Sequence, residues 1–243
     1  MSFKESKKTL FFKATNRVTR PGNSIGGFFI TGTDTDVGKT YAAGCVAQTL
    51  IQDGFKIIPR KPIASGCIKQ TDGSLLSEDA LFLKEATHSP EPLKVICPYN
   101  FEPAVSPQTA IEQAGLVITT QDLFSVCNIP KESNPNTLYL VEGAGGFYSP
   151  LCSDGLNQDF AQALKLPVIL VVKNQLGCIN HTLLTLAAIE QAGLQTFCII
   201  LNFSDEKNHA LGIENWTDIP IFHLPTNNTQ ALKPIAGLTS LIY

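Results

Sequence analysis

From Gly27 onward the chain alternates between two kinds of apolar pattern. Short runs rich in β-branched and aromatic residues recur at 28–31 (FFIT), 55–61 (FKIIPRK), 137–142 (TLYLVE), 168–172 (VILVV), 197–202 (FCIILN) and 219–224 (IPIFHL). Between them lie longer helix-like segments at 39–52, 77–86, 119–127, 157–165 and 179–192. In the last of these, Ile179, Leu183, Leu186, Ala187 and Ile189 read as the buried face. Several strand candidates are continuously apolar, the pattern of a strand whose sheet is covered on both faces. Gly54 and Gly193 sit where a helix stops and the chain turns into the next strand. The expectation is an α/β fold with a mostly parallel sheet and helices on both faces. The stretch 88–110 carries Pro90, Pro92, Pro98, Pro103 and Pro107, and reads as an ordered excursion from the sheet rather than a linker. Residues 27–243 are therefore expected to form one domain behind a leader, 1–26.

Composition narrows the class. A hydrophobic fraction of 44% supports a buried core. No apolar run reaches the ~18 residues of a membrane span. The seven cysteines are odd in number, scattered and without a C-x-x-C pair, which speaks against a disulfide framework or a zinc site and for a reducing, cytoplasmic setting. Residues 1–24 hold six basic side chains and Glu5, so the rest of the chain carries −8 of a total charge of −3. An acidic body gives no reason to expect nucleic acid as a partner. The leader favours lysine over arginine and reads as a tail or an upstream start rather than a targeting signal.

Chemistry enters at "FFITGTDTDVGKTYAAG", residues 28–44. A strand runs into a polar turn, then Gly38-Lys39-Thr40 opens a helix. That is the context of a phosphate-binding loop, in which helix-start N–H groups, a lysine and a hydroxyl face phosphate and Mg²⁺. The first glycine of G-x-x-x-x-G-K-[ST] is missing: Thr33 stands there, with Gly32 one residue early. Asp34 occupies the place of the second lysine found in related ATPases that position other molecules. Asp34, Thr35 and Asp36 put carboxylates and a hydroxyl on the rim, which suits an amine-bearing substrate or, equally for Asp34 and Asp36, capping of the helix.

Further along, Glu142 ends a buried strand at its carboxyl end, where α/β sheets bind ligands, and a carboxylate there suits Mg²⁺. Gly143, Gly145 and Gly146 then leave room for backbone contact with phosphate or substrate. Asp79 is ambiguous, because Ser77 would cap its helix and make Glu78 and Asp79 ordinary first-turn acids. Lys61, held extended by Pro62, projects toward the crevice as a second cation for a transferring phosphoryl group. Its neighbour Arg60 reads as a solvated edge residue, and Ser65-Gly66 as a polar turn near the crevice.

Taken in order, "GTDTDVGKT", "KPIASG", "SEDA", "FEPAVSPQ", "VEGAGGFYSPL" and "LGCINHTLLTLAAIEQAGL" resemble the dethiobiotin synthetase family from about Gly27 to Pro225. The resemblance implies a P-loop NTPase-like fold and an ATP-dependent cyclo-ligase. Its substrates would be 7,8-diaminononanoate and CO₂ or bicarbonate, and the route a carbamate and a carbamic–phosphoric anhydride. It implies nucleotide contacts from Asp36, Val37, Gly38, Lys39, Thr40, Tyr41, Asp79, Glu142, Gly143, Ala144 and Gly145. Asn202 with Phe203 would lie at the purine edge, and Pro225, Thr226 and Asn227 near the base. Thr40, Asp79 and Glu142 would be the Mg²⁺ ligands, and Lys61 with Lys39 the catalytic cations. Thr35 and Ser65 would touch substrate, as would Gly177, Cys178, Ile179 and Asn180 from the neighbouring subunit of a homodimer. Gln175 stands where lysine is common in the family, and no acid follows Asp218. A related amide ligase would need a glutaminase domain of roughly 100–200 further residues.

Overall fold

Alternate residues of the apolar runs point to opposite faces of one sheet, which is why the runs are continuous. Phe28 and Ile30 join one core with Leu138, Leu140, Ile169 and Val171. Phe29 joins the other with Tyr139, Val141, Val168, Leu170 and Val172. The computed structural model describes residues 26–130, 134–203, 209–225, 232 and 234–242. The leader, but for Gly26, lies outside the described residues, as do Thr226 and Asn227.

In chain order the first half contains β1 (Gly27–Gly32), α1 (Lys39–Gln52), β2 (Lys56–Arg60), β3 (Ile63–Ala64), β4 (Ile68–Lys69), β5 (Leu75–Leu76), α2 (Glu78–Ala86), α3 (Leu93–Ile96), β6 (Tyr99–Asn100), α4 (Pro107–Gln113) and α5 (Thr120–Cys127). The second half contains β7 (Thr137–Gly146), α6 (Asn157–Leu164), β8 (Val168–Lys173), α7 (Cys178–Gln191), β9 (Thr196–Asn202) and β10 (Ile221–Leu224). Six strands form the central sheet in the order β10-β9-β8-β1-β7-β2. Every pairing in it is parallel. Helix α1 packs on one face, and α4 to α7 contribute to the core on the other. After β1 the chain goes out to β2, returns to β7, then crosses to β8 on the far side of β1. That reversal opens a crevice at the carboxyl ends of the strands, the usual ligand site of such sheets.

Residues 61–136 leave the sheet and return. Within them β3 pairs with β6, β4 pairs with β5, and Ala64, Cys67, Ala80, Ile96 and Cys97 form a small separate core. Arg60 ties this excursion down, and here the expectation of a solvated side chain is corrected: Arg60 is 2% exposed. Its guanidinium donates to both oxygens of Glu91, 2.5 and 3.1 Å away, and to the Cys127 carbonyl at 2.9 Å. It also lies over the Tyr139 ring. β2 is an edge strand of the sheet, but the excursion covers it.

The buried face of α7 also differs from expectation. Leu186 and Ile189 are buried, but Ala187 is exposed, and Cys178 and Thr182 take its place in the core. Thr182 can sit there because its hydroxyl donates back to the Cys178 carbonyl at 2.7 Å. All seven cysteines are buried, and none of them is in a disulfide. No described helix is long and apolar enough to cross a membrane.

Candidate active site

The phosphate loop leaves β1 at the centre of the sheet. Gly38 caps α1 in the left-handed region (φ 83°), and a Cβ there would lie 2.0 Å from the Asn202 amide nitrogen. Only glycine satisfies both constraints. Asn202, fully buried, donates to the Val37 carbonyl at 3.0 Å and accepts from the Phe203 N–H, so β9 clamps the loop. The Lys39 ammonium donates to the Asp34 carbonyl at 2.8 Å, curling the loop around its own cation. Asp36 holds a positive φ of 55°, as does Phe203 at 57°.

Four charged or polar side chains meet beside this loop. The Thr40 hydroxyl lies 2.8 Å from Asp79 Oδ1 and 2.8 Å from Glu142 Oε1. Lys61 Nζ lies 2.8 Å from Asp79 Oδ2, 2.6 Å from Glu142 Oε1 and 3.2 Å from the Gly143 carbonyl. Asp79 was ambiguous in the sequence: Ser77 does cap α2, as the capping reading expects, and the Asp79 carboxylate also reaches Lys61 and the Thr40 hydroxyl. Lys61 follows β2, Glu142 lies in β7 and Thr40 opens α1, so three elements aim side chains at one point.

Electrostatics divides the two lysines. Burial, and then the Lys61 charge, lowers Lys39 to about 8. Burial pulls Lys61 down too, but Glu142 and Asp79 outweigh it and hold Lys61 above the ordinary lysine range. Lys61 in turn holds Asp79 below the usual carboxylate range. Burial pushes Glu142 up against the pull of Lys61. Glu142 Oε2 is buried with no hydrogen-bond partner. One hydroxyl and two carboxylates converge there, with an orphaned carboxylate oxygen among them. Hard divalent cations such as Mg²⁺ take this donor set.

A cleft of about 790 Å³ opens from this point. Thr35, Asp36, Gly38, Lys39, Thr40, Lys61, Ser65, Asp79, Glu142, Ala144 and Gly145 line it, all singled out from the sequence. Ala104, Val105, Ser106, Pro107, Ser149 and Pro150 line it too and had not been singled out. They come from "FEPAVSPQ" and "GGFYSPL", stretches whose order was legible but whose individual side chains carried no charge to mark them. Ser65 donates to the Val105 carbonyl at 2.6 Å, joining the two walls. Val37 is buried beneath the loop and Tyr41 is half-buried behind it. Pro225 follows β10, whose last pair with β9 is Leu224 with Asn202, so it lies near the clamp. Gly177, Cys178, Ile179 and Asn180 open α7 and do not line this cleft.

The chain matches the family described as an AAA domain over residues 26–230. It is 36% identical over 197 residues to the ATP-dependent dethiobiotin synthetase BioD of Ruthia magnifica subsp. Calyptogena magnifica, covering 80% of this chain and 89% of that one. It is 42% identical to the ATP-dependent dethiobiotin synthetase BioD of Marinobacter nauticus, over 74% of this chain and 76% of that one. It is also 42% identical to the ATP-dependent dethiobiotin synthetase BioD 1 of Salmonella typhi, over 69% and 72%. The two central lysines, the altered phosphate loop and the family relationship converge: this chain belongs to the dethiobiotin synthetase family.

Proposed function

We propose that the chain catalyses the ATP-dependent carboxylation and ring closure of 7,8-diaminononanoate, giving dethiobiotin, ADP and phosphate. The observation that carries the reading is the meeting of Lys39, Lys61, Thr40, Asp79 and Glu142 in one cleft that also takes in Thr35 and Ser65. One substrate amine adds to CO₂ and loses a proton to become a carbamate. A carbamate oxygen attacks the γ-phosphorus and ADP leaves. The second amine then attacks the carbonyl carbon of the mixed anhydride, phosphate departs and the cyclic urea closes.

The residues divide this work. The loop N–H groups from Asp36 to Tyr41 and the Lys39 ammonium hold the phosphates. Lys61 bridges the carbamate and the γ-phosphate and balances the charge that builds between them. Thr40, Asp79 and Glu142 would hold Mg²⁺, which offsets phosphate charge when bound. Thr35 and Ser65 meet the diamine. Asn202, Phe203 and Pro225 flank the base, with Asn202 also fixing the loop.

The shared site of a homodimer accounts for α7. Leu176, just before it, is 87% exposed and Leu184, within it, 62%, and its helix-start N–H groups suit the substrate carboxylate of a second copy. Gln175 leaves that carboxylate without the lysine common in relatives. Seven cysteines outside any disulfide fit a reducing cytoplasm.

The test supplies the diamine, bicarbonate and MgATP and follows ADP together with cyclic urea. Equimolar products are expected. ADP without ring closure would make the chain an ATPase of the same fold, and neither product would make it a binding protein.

A further inference from the structure

Asn157 is the first residue of α6, fully buried, and plays no part in the reading above. Its Oδ1 accepts from the Ala144 N–H at 3.2 Å. Its Nδ2 donates to the carbonyls of Ala144 and, at 2.9 Å, Gly146. Both amide hydrogens and the amide oxygen are used. Turning the amide over would set its NH₂ against an N–H and its oxygen against two carbonyls, so its orientation is fixed.

Ala144 N–H and Gly143 C=O belong to one peptide unit. In a trans peptide these groups point in opposite directions. The bond from Ala144 N–H to Asn157 therefore turns the Gly143 carbonyl the other way, onto Lys61 Nζ at 3.2 Å. There is no space to adjust: a Cβ on Gly143 would lie 2.5 Å from Asn157 Oδ1 and 3.0 Å from the Phe29 ring. Ser149 braces the far side, accepting from Gly146 N–H at 2.8 Å while its carbonyl accepts from Asn157 N–H at 3.0 Å. Of the oxygens around Lys61, the Gly143 carbonyl is neutral, so it directs the ammonium without cancelling its charge.

We propose that Asn157 is a positioning residue for Lys61, acting through the Gly143–Ala144 peptide. This rests on the reading of Lys61 as the transfer-site cation. Lost aim at a reacting centre costs up to about 10²-fold in rate. Asn157→Ala should accordingly lower kcat about 10- to 100-fold with MgATP affinity changed little, and should lower the melting temperature as well, because it strands a buried N–H and two buried carbonyls.

A cycle of Asn157→Ala, Lys61→Ala and the double variant, assayed with radiolabelled ATP, tests it. Once Lys61 is gone Asn157 has nothing to aim, so the double variant should turn over as slowly as Lys61→Ala alone. A double variant slower by the product of the two losses would overturn the inference, as would full turnover by Asn157→Ala. Full turnover by Lys61→Ala would instead overturn the reading on which the inference rests. If the alanine variant does not fold, Asn157→Ser passes through the same cycle with the same expected outcomes.

Discussion

Lys61 stands between two carboxylates, and taking it away leaves Glu142 buried without its ion-pair partner. Removing one partner of a buried ion pair costs about 3 kcal/mol or more. Lys61→Ala should therefore melt several degrees lower in metal-free buffer. Added Mg²⁺ should restore much of that loss by serving the same oxygens, while kcat stays lowered about 10²- to 10³-fold. Calorimetry with and without Mg²⁺, beside turnover, checks both. Lys39 gives a pH dependence. In the free protein its value is about 8, against an ordinary 10.5. Bound phosphate favours the charged form, so above pH 8 binding takes up a proton. Affinity for ATP should thus be flat below pH 8 and weaken by about tenfold per unit above it. The sign for folding is opposite: a lowered lysine destabilises the fold below its folded value. That penalty fades as pH rises from 8 toward 10.5. Isothermal titration of ATP between pH 7 and about 9.5 reads the first effect.

At the scale of elements, the start of α1 is set by Gly38. Gly38→Ala meets Asn202 at 2.0 Å and strains a φ of 83°, so ATP affinity should fall at least about 10-fold while the sheet stays folded. Binding of a fluorescent nucleotide measures it. Arg60 is where the excursion is fastened to β2. Arg60→Ala leaves a half-buried Glu91 and the Cys127 carbonyl without their donor, costing about 2–3 kcal/mol in urea unfolding.

The elements were legible to different degrees. All six strands of the sheet and the five longer helices announce themselves in the sequence, because burial on both sheet faces writes continuous apolar runs and helical spacing. The short helices α3 and α4 and the strands β3 to β6 do not, being two to seven residues long, too brief to show a period. Arg60 was misread because an edge strand looks solvated until the covering segment is placed. Thr182 hides as a polar residue until its hydroxyl is seen to bond its own helix. Lys39, Thr40, Lys61 and Glu142 carry charge or a motif at strand and helix ends and were legible. Asn157 was not, since a side chain that bonds to distant backbone leaves no spacing in the sequence.

For the whole molecule, the cleft is one half of the site in this account and α7 of a second copy is the other. Leu184→Glu on that helix, 62% exposed, should leave the melting temperature of the fold almost unchanged. It should also shift the sedimenting species from dimer to monomer and raise the apparent KM for the diamine. An active wild-type monomer would remove the shared site. Lys39 and Lys61 are proposed to serve one phosphoryl group beside the diamine. A crystal structure of the protein with a non-hydrolysable ATP analogue, Mg²⁺ and the diamine tests it most directly. Both ammonium groups should lie within about 3 Å of the γ-phosphate oxygens, with a substrate amine beside Lys61. A complex in which Lys61 stays closed on Glu142, with the phosphate elsewhere, would contradict it.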